Sequence, residues 1–96
     1  MRPSLLIQQN RDAIHRMASR FNTTNPRVFG SVLQGIDNDD SDLDLLVDAL
    51  PGATLFDLGG LQSELEDLLG VRVDLVTPDD LPKEFRDRVL AEARPV

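Results

Sequence analysis

The chain has no cysteine, no tryptophan and no tyrosine, and only one histidine, His15. Without cysteine there can be no disulfide and no thiolate metal site. One histidine leaves almost nothing from which to build a His-based zinc centre. Any metal held here is therefore oxygen-ligated, meaning Mg²⁺, Mn²⁺ or Ca²⁺. Positive charge is scarce too: ten Lys and Arg stand against seventeen Asp and Glu, a formal charge of −7. Gripping DNA or RNA needs a basic face to neutralise phosphates, so direct nucleic-acid binding is not the expected task. An acidic chain suits a basic protein partner, or a site that collects cations. No apolar run approaches the ~20 residues of a membrane span. The first stretch, MRPSLLIQQNRDAIHR, has no signal-peptide core and soon turns polar. The expectation is a single soluble, cytoplasmic domain over residues 1–96, with an adequate but thin core.

What is present is a regular alternation of elements. Residues 4–20 read as a helix, with Ser4 as N-cap and Ile14, Met17, Ala18 and Phe21 on one stripe. His15 lies beside that stripe, where a structural or solvated role is expected. Asn22–Pro26 is a turn cluster. Arg27-Val28-Phe29 reads as a short strand ending at Gly30-Ser31, followed by one helical turn closed by Gly35. An acidic loop, Ile36–Ser41, leads into the strongest strand candidate, Asp42–Leu50. Thr54–Leu69 is the clearest helix. It has a Thr54/Asp57 capping box, a stripe of Leu58, Leu61, Leu65, Leu68 and Leu69, and a Gly70 stop. Val71–Val76 is a third strand. A last helix begins near Asp80-Leu81-Pro82, with Phe85, Val89 and Ala93 on its presumed buried side. The fold class is α/β: a small three-stranded sheet packed with helices. The long connection from Leu50 to Val71 suits a parallel crossover, while the short Gly35–Ser41 link leaves the sheet mixed or parallel.

The chemistry concentrates between Phe29 and Asp48. Residues two apart on a strand share a face at about 6.5 Å, so Asp42 and Asp44 converge while Leu43 and Leu45 point away. Two carboxylates this close repel, and a divalent cation relieves the repulsion. An isolated Asp-x-Asp is ordinarily just the wet side of an amphipathic strand. Asp74 changes the weighing, because it is a lone acid in the apolar strand VRVDLV, where an unpaired charge is costly. Arg72 shares its facing and is the structural partner to consider. The alternative sets Asp74 beside Asp42 and Asp44, three carboxylates able to hold Mg²⁺ against a nucleoside triphosphate. Gly30 has no Cβ to block a phosphate, and Ser31 offers a hydroxyl and the first N–H groups of the short helix. Gly-Ser alone is a common turn; its register ahead of the acids is the informative feature. A calcium loop of the EF-hand kind is disfavoured for Asp37–Asp48, since Asp42 and Asp48 stand where Gly and Glu are required.

In that register, GSVLQGIDNDDSDLDLLV resembles the GSx10DxD signature of the polymerase-β-type nucleotidyltransferases, and VRVDLVTPDDL resembles their third-acid strand. With LFDLGGLQSELEDLLG between them, the chain from about Val28 to Pro95 resembles the minimal nucleotidyltransferase (MNT) antitoxins. The resemblance implies a polymerase-β-like nucleotidyltransferase fold. It also implies a protein adenylyltransferase that moves AMP from ATP to a tyrosine of a cognate HEPN-domain RNase toxin, silencing it, in a hetero-oligomer with that toxin. Carried over, Gly30 and Ser31 would contact the triphosphate. Asp42 and Asp44 would hold Mg²⁺, and Asp74 would act as general base or metal ligand. Many relatives carry Arg in the turn after Gly-Ser. Here the turn is Val32-Leu33-Gln34, so the cation falls to Arg27, Arg72 or the partner. The competing reading is an antitoxin that masks its toxin by binding alone. A small-molecule nucleotidyltransferase of the aminoglycoside type is disfavoured, because no second domain is present to form a substrate pocket.

Overall fold

The computed structural model describes all 96 residues. Two helices open the chain, α1 (Pro3–Gln9) and α2 (Arg11–Arg20), where a single helix was expected. Asn10 separates them: its backbone leaves helical geometry at φ −121°, ψ 19°, and its side-chain amide donates to the Leu6 carbonyl. Such backbone capture is why Asn favours helix ends. Ser4 does not cap α1. Arg2 holds the cap position and Pro3 starts the helix, while the Ser4 N–H donates to the Asp37 carboxylate at 2.9 Å.

Strand β1 (Thr23–Phe29) is longer than its apolar residues suggest. The turn-forming residues are absorbed as a bulge between Thr24 and Arg27, with Asn22 and Asn25 at positive φ, a conformation Asn tolerates better than most residues. A short helix α3 (Ser31–Gln34) and an irregular loop lead to β2 (Leu43–Ala49). Helix α4 (Leu55–Leu69) follows, then β3 (Val73–Val76), a 3-10 turn (Pro78–Asp80), α5 (Lys83–Glu92) and a two-residue strand β4 (Arg94–Pro95). The sheet therefore has four strands in the order β3-β2-β1-β4, one more than expected. β4 escapes sequence reading because two residues carry no period. β2 and β3 run parallel around α4, and β1 is antiparallel to both β2 and β4, which makes the sheet mixed.

α4 forms as its sequence dictates. Thr54 accepts from the Asp57 N–H, Asp57 accepts from the Thr54 N–H, and Gly70 closes the helix in left-handed geometry at φ 70°. Leu61, Leu65 and Leu69 are buried, while Leu68, counted on the same stripe, is 39% exposed. Gly60 lets α4 pass close to the end of α2, since a Cβ there would press on the Phe21 ring, while Gly59 faces open space.

The core lies on one sheet face. Ile7, Ile14 and Ala18 from α1 and α2, and Leu61, Leu65 and Leu69 from α4, pack on Val28, Leu43, Leu45 and Val73. His15 ties the C-terminal end down through a 2.9 Å contact with the Val96 carbonyl. The other face carries the alternate residues of β1, β2 and β3. The 3-10 turn contacts β2 on this side, where Leu46 and Leu81 are buried outside the main cluster. The rest of this face stays open enough to hold a site.

Candidate active site

Strand register brings the singled-out acids together. Asp44 of β2 is paired with Asp74 of β3 on one side and with Phe29 of β1 on the other. Paired residues of adjacent strands present their side chains to the same face. Phe29, Asp44 and Asp74 therefore form one row across three strands, on the face away from the helical core. Asp42 lies just before β2, and Leu43, between the two acids, sends its side chain into the core.

Asp74 and Asp42 are exposed, and Asp44 is half-buried. Asp74 is thus not a charge stranded inside the sheet, which was the expectation that first drew attention to it. Its strand is too close to the sheet margin to bury that face. Nor does Arg72 neutralise it: Arg72 precedes β3 and forms no ion pair with Asp74. What marks the site instead is Asp44. Burial pushes its carboxyl up to about 6, and the negative charge of Asp74, then of Asp42, pushes the same way. A carboxylate whose charge is disfavoured by burial and by neighbouring acids is one that a cation would stabilise.

Gly30 sits against this carboxyl. Its backbone adopts φ 71°, ψ −141°, and a Cβ added there would collide with the Asp44 carboxylate. Only glycine lets the end of β1 pass so close. Ser31 follows, partly exposed at the start of α3. The Ile36–Ser41 loop is fixed by Asp37, which is buried among acids that are not. Burial alone would raise its carboxyl. Hydrogen bonds from the Ser4 backbone and hydroxyl, its own N–H, and the charge of Arg2 outweigh that and hold it below the ordinary value. Sequence reading missed this tether, because nothing in a run of acids distinguishes the buried one.

The last helix also differs from expectation. α5 buries none of its residues; Phe85 and Val89, expected in the core, line a cavity of ≈ 270 Å³ together with Arg88 and Glu92. Phe29, Gly30, Leu33 and Gln34 form the opposite wall. Their apolar spacing was legible, but not that it faces a ligand-sized gap instead of a packed layer. Of the cations named as substitutes for the neutral Val32-Leu33-Gln34 turn, Arg27 is already committed: it pairs with Asp48 at 2.7 Å, with its side chain 13% exposed.

No three His, Asp or Glu side chains are gathered into a ready-made metal cage. The donor set nonetheless fits Mg²⁺, which characteristically takes one or two carboxylates and completes its shell with water and substrate phosphates. Asp44, its charge disfavoured by burial and by the flanking Asp74 and Asp42, offers that chemistry.

A glycine lies against neighbouring acids on a mixed sheet backed by helices, and comparison with known proteins gives the class. Residues 11–96 match the nucleotidyltransferase domain family, and the chain belongs to it. Within that family it falls with the minimal nucleotidyltransferases. One solved minimal nucleotidyltransferase is 43% identical, with a TM-score of 0.86 over 97% of this chain and 95% of that one. The protein adenylyltransferase MntA of Thermococcus cleftensis is 40% identical over 76 residues, 79% of this chain and 77% of the relative. A crystal structure of a toxin–antitoxin pair with AMP-PNP shares the fold, at 23% identity and a TM-score of 0.74 over 90% of this chain and 71% of that one.

Proposed function

We propose that this protein is a Mg²⁺-dependent protein adenylyltransferase acting as an antitoxin: it transfers AMP from ATP to a tyrosine of a cognate HEPN-domain toxin and so neutralises it. The observation that carries this reading is Asp44, raised to about 6 between Asp42 and Asp74 and touching the one residue, Gly30, that leaves room beside it. The similarity to a named protein adenylyltransferase supplies the reaction class.

In the reaction the acceptor hydroxyl oxygen attacks the α-phosphorus of ATP. The bond to the pyrophosphate oxygen breaks, and pyrophosphate leaves with the negative charge. Asp42 and Asp44 would hold Mg²⁺, which would neutralise phosphate charge and offset the repulsion among the acids. Asp74, exposed beside Asp44, takes the proton from the acceptor hydroxyl or contributes an oxygen to the cation. Gly30 lets the Asp44 carboxylate lie against the end of β1, and Ser31 offers its hydroxyl to a phosphate oxygen. The open face admits a protein side chain, as a macromolecular acceptor requires.

Masking by binding alone is the second reading, favoured by the absence of a cation in Val32-Leu33-Gln34. Co-expression with the cognate toxin separates the two. Wild-type protein is expected to restore growth, and the Asp42→Asn/Asp44→Asn double variant, expressed at the same level, is expected to fail. Full rescue by the double variant would mean that the toxin is held, not modified.

A further inference from the structure

Resting on the nucleotide-transfer reading above, we propose that Arg88, on α5 and lining the cavity it shares with Gly30 and Gln34, binds the terminal phosphates of the nucleoside triphosphate. A triphosphate brings several negative charges toward Asp42, Asp44 and Asp74, in a chain already at −7. One divalent cation does not offset that sum, and phosphoryl-transfer sites add fixed side-chain cations. The turn after Gly30 provides none. Arg27 is locked onto Asp48 by a 2.7 Å ion pair. Arg72 lines none of the molecule's cavities. Arg88 is the only basic residue in the cavity that Gly30 also lines.

Its geometry and freedom fit the task. Gly30 lies against the Asp44 carboxylate and also lines this cavity, whose walls include none of the three acids, so Gly30 is the link between them and Arg88. The one ion pair Arg88 makes is with Glu92, at 3.7 Å, with the two side chains 76% and 58% exposed. A pair so long and so solvated holds its partners weakly, and an incoming phosphate displaces it. The planar guanidinium then offers two parallel N–H donors to phosphate oxygens. A neighbouring groove shares Arg88, Gln34 and Glu92 and adds Arg94, a second cation at the same end.

The test is calorimetric titration of the wild-type protein and of Arg88→Glu, Arg88→Ala, Arg88→Lys and Glu92→Gln with ATP and with AMP, all in Mg²⁺. Arg88→Glu is expected to weaken ATP about 10- to 100-fold, the loss of a charge-assisted phosphate contact. Arg88→Ala should lose somewhat less and Arg88→Lys less again. Glu92→Gln should not weaken ATP at all. AMP lacks the terminal phosphates, and its affinity should be the same in all five proteins. Unchanged ATP affinity in Arg88→Glu and Arg88→Ala, or equal losses for ATP and AMP, would overturn the role of Arg88 while leaving nucleotide transfer standing. A wild-type protein that binds no ATP in Mg²⁺ would overturn the functional reading itself.

Discussion

Gly30 shows how little space the site allows. Two constraints meet at this residue: a positive φ that side chains resist, and the Asp44 carboxylate lying where a Cβ would go. Gly30→Ala is therefore expected to destabilise the fold by about 1–3 kcal/mol and to remove ATP binding by displacing Asp44. Chemical denaturation and nucleotide titration read the two effects separately. Asp44 makes the complementary prediction. Its pKa is raised from 3.8 to about 6, so between those values the folded protein binds more protons than the unfolded chain. Stability from this group is then fully present below pH 3.8 and is lost as pH rises through 6. Asp44→Asn removes the unfavourable charge and is expected to stabilise the metal-free protein at pH 7. With solvent screening of the half-buried group taken into account, the gain is about 1 kcal/mol. The same variant loses Mg²⁺-dependent binding. Thermal melts at pH 5 and pH 7.5 check the sign: the wild-type minus Asn difference should shrink at the lower pH.

Among the elements, α1 and the acidic loop depend on each other through Asp37. Its carboxylate takes the Ser4 N–H at 2.9 Å and anchors the loop that delivers Asp42. Asp37→Ala leaves a helix end without its acceptor, a cost of about 1–2 kcal/mol. Hydrogen exchange over residues 36–42 should quicken, while the α4 amides stay protected. The elements that were legible in the sequence are those whose signals are local and periodic. α4 has its capping box, its leucines and Gly70. β2 alternates acids and leucines, and its flanking Gly30-Ser31 and Asp42-x-Asp44 stand at a countable spacing. The parts that were not legible depend on distant partners. Asn10 breaks a helix that periodicity alone would continue. The Asn22–Pro26 turn residues are drawn into β1 as a bulge, because β2 is there to pair with them. Phe85 and Val89 look like core and line a cavity instead, because where α5 comes to rest is set by tertiary structure and not by its own spacing.

At the scale of the molecule, the two faces of one sheet divide the labour. Leu61, Leu65, Leu69, Ile14 and Ala18 make the scaffold on one side; Phe29, Asp44 and Asp74 form a row on the other. The same register sets both, because a one-residue slip would send Leu43 and Leu45 to the open face and Asp44 into the core. A small α/β domain can serve as a transferase because the chemistry asks chiefly for positioned phosphates and balanced charge. The catalytic claim is most directly tested by intact-mass spectrometry of the purified cognate toxin after incubation with this protein, ATP and Mg²⁺. Adenylyl transfer predicts that the toxin gains the mass of one or more AMP groups, on tyrosine, and that the gain disappears with Asp42→Asn/Asp44→Asn. A toxin that is fully inhibited yet unchanged in mass would contradict it.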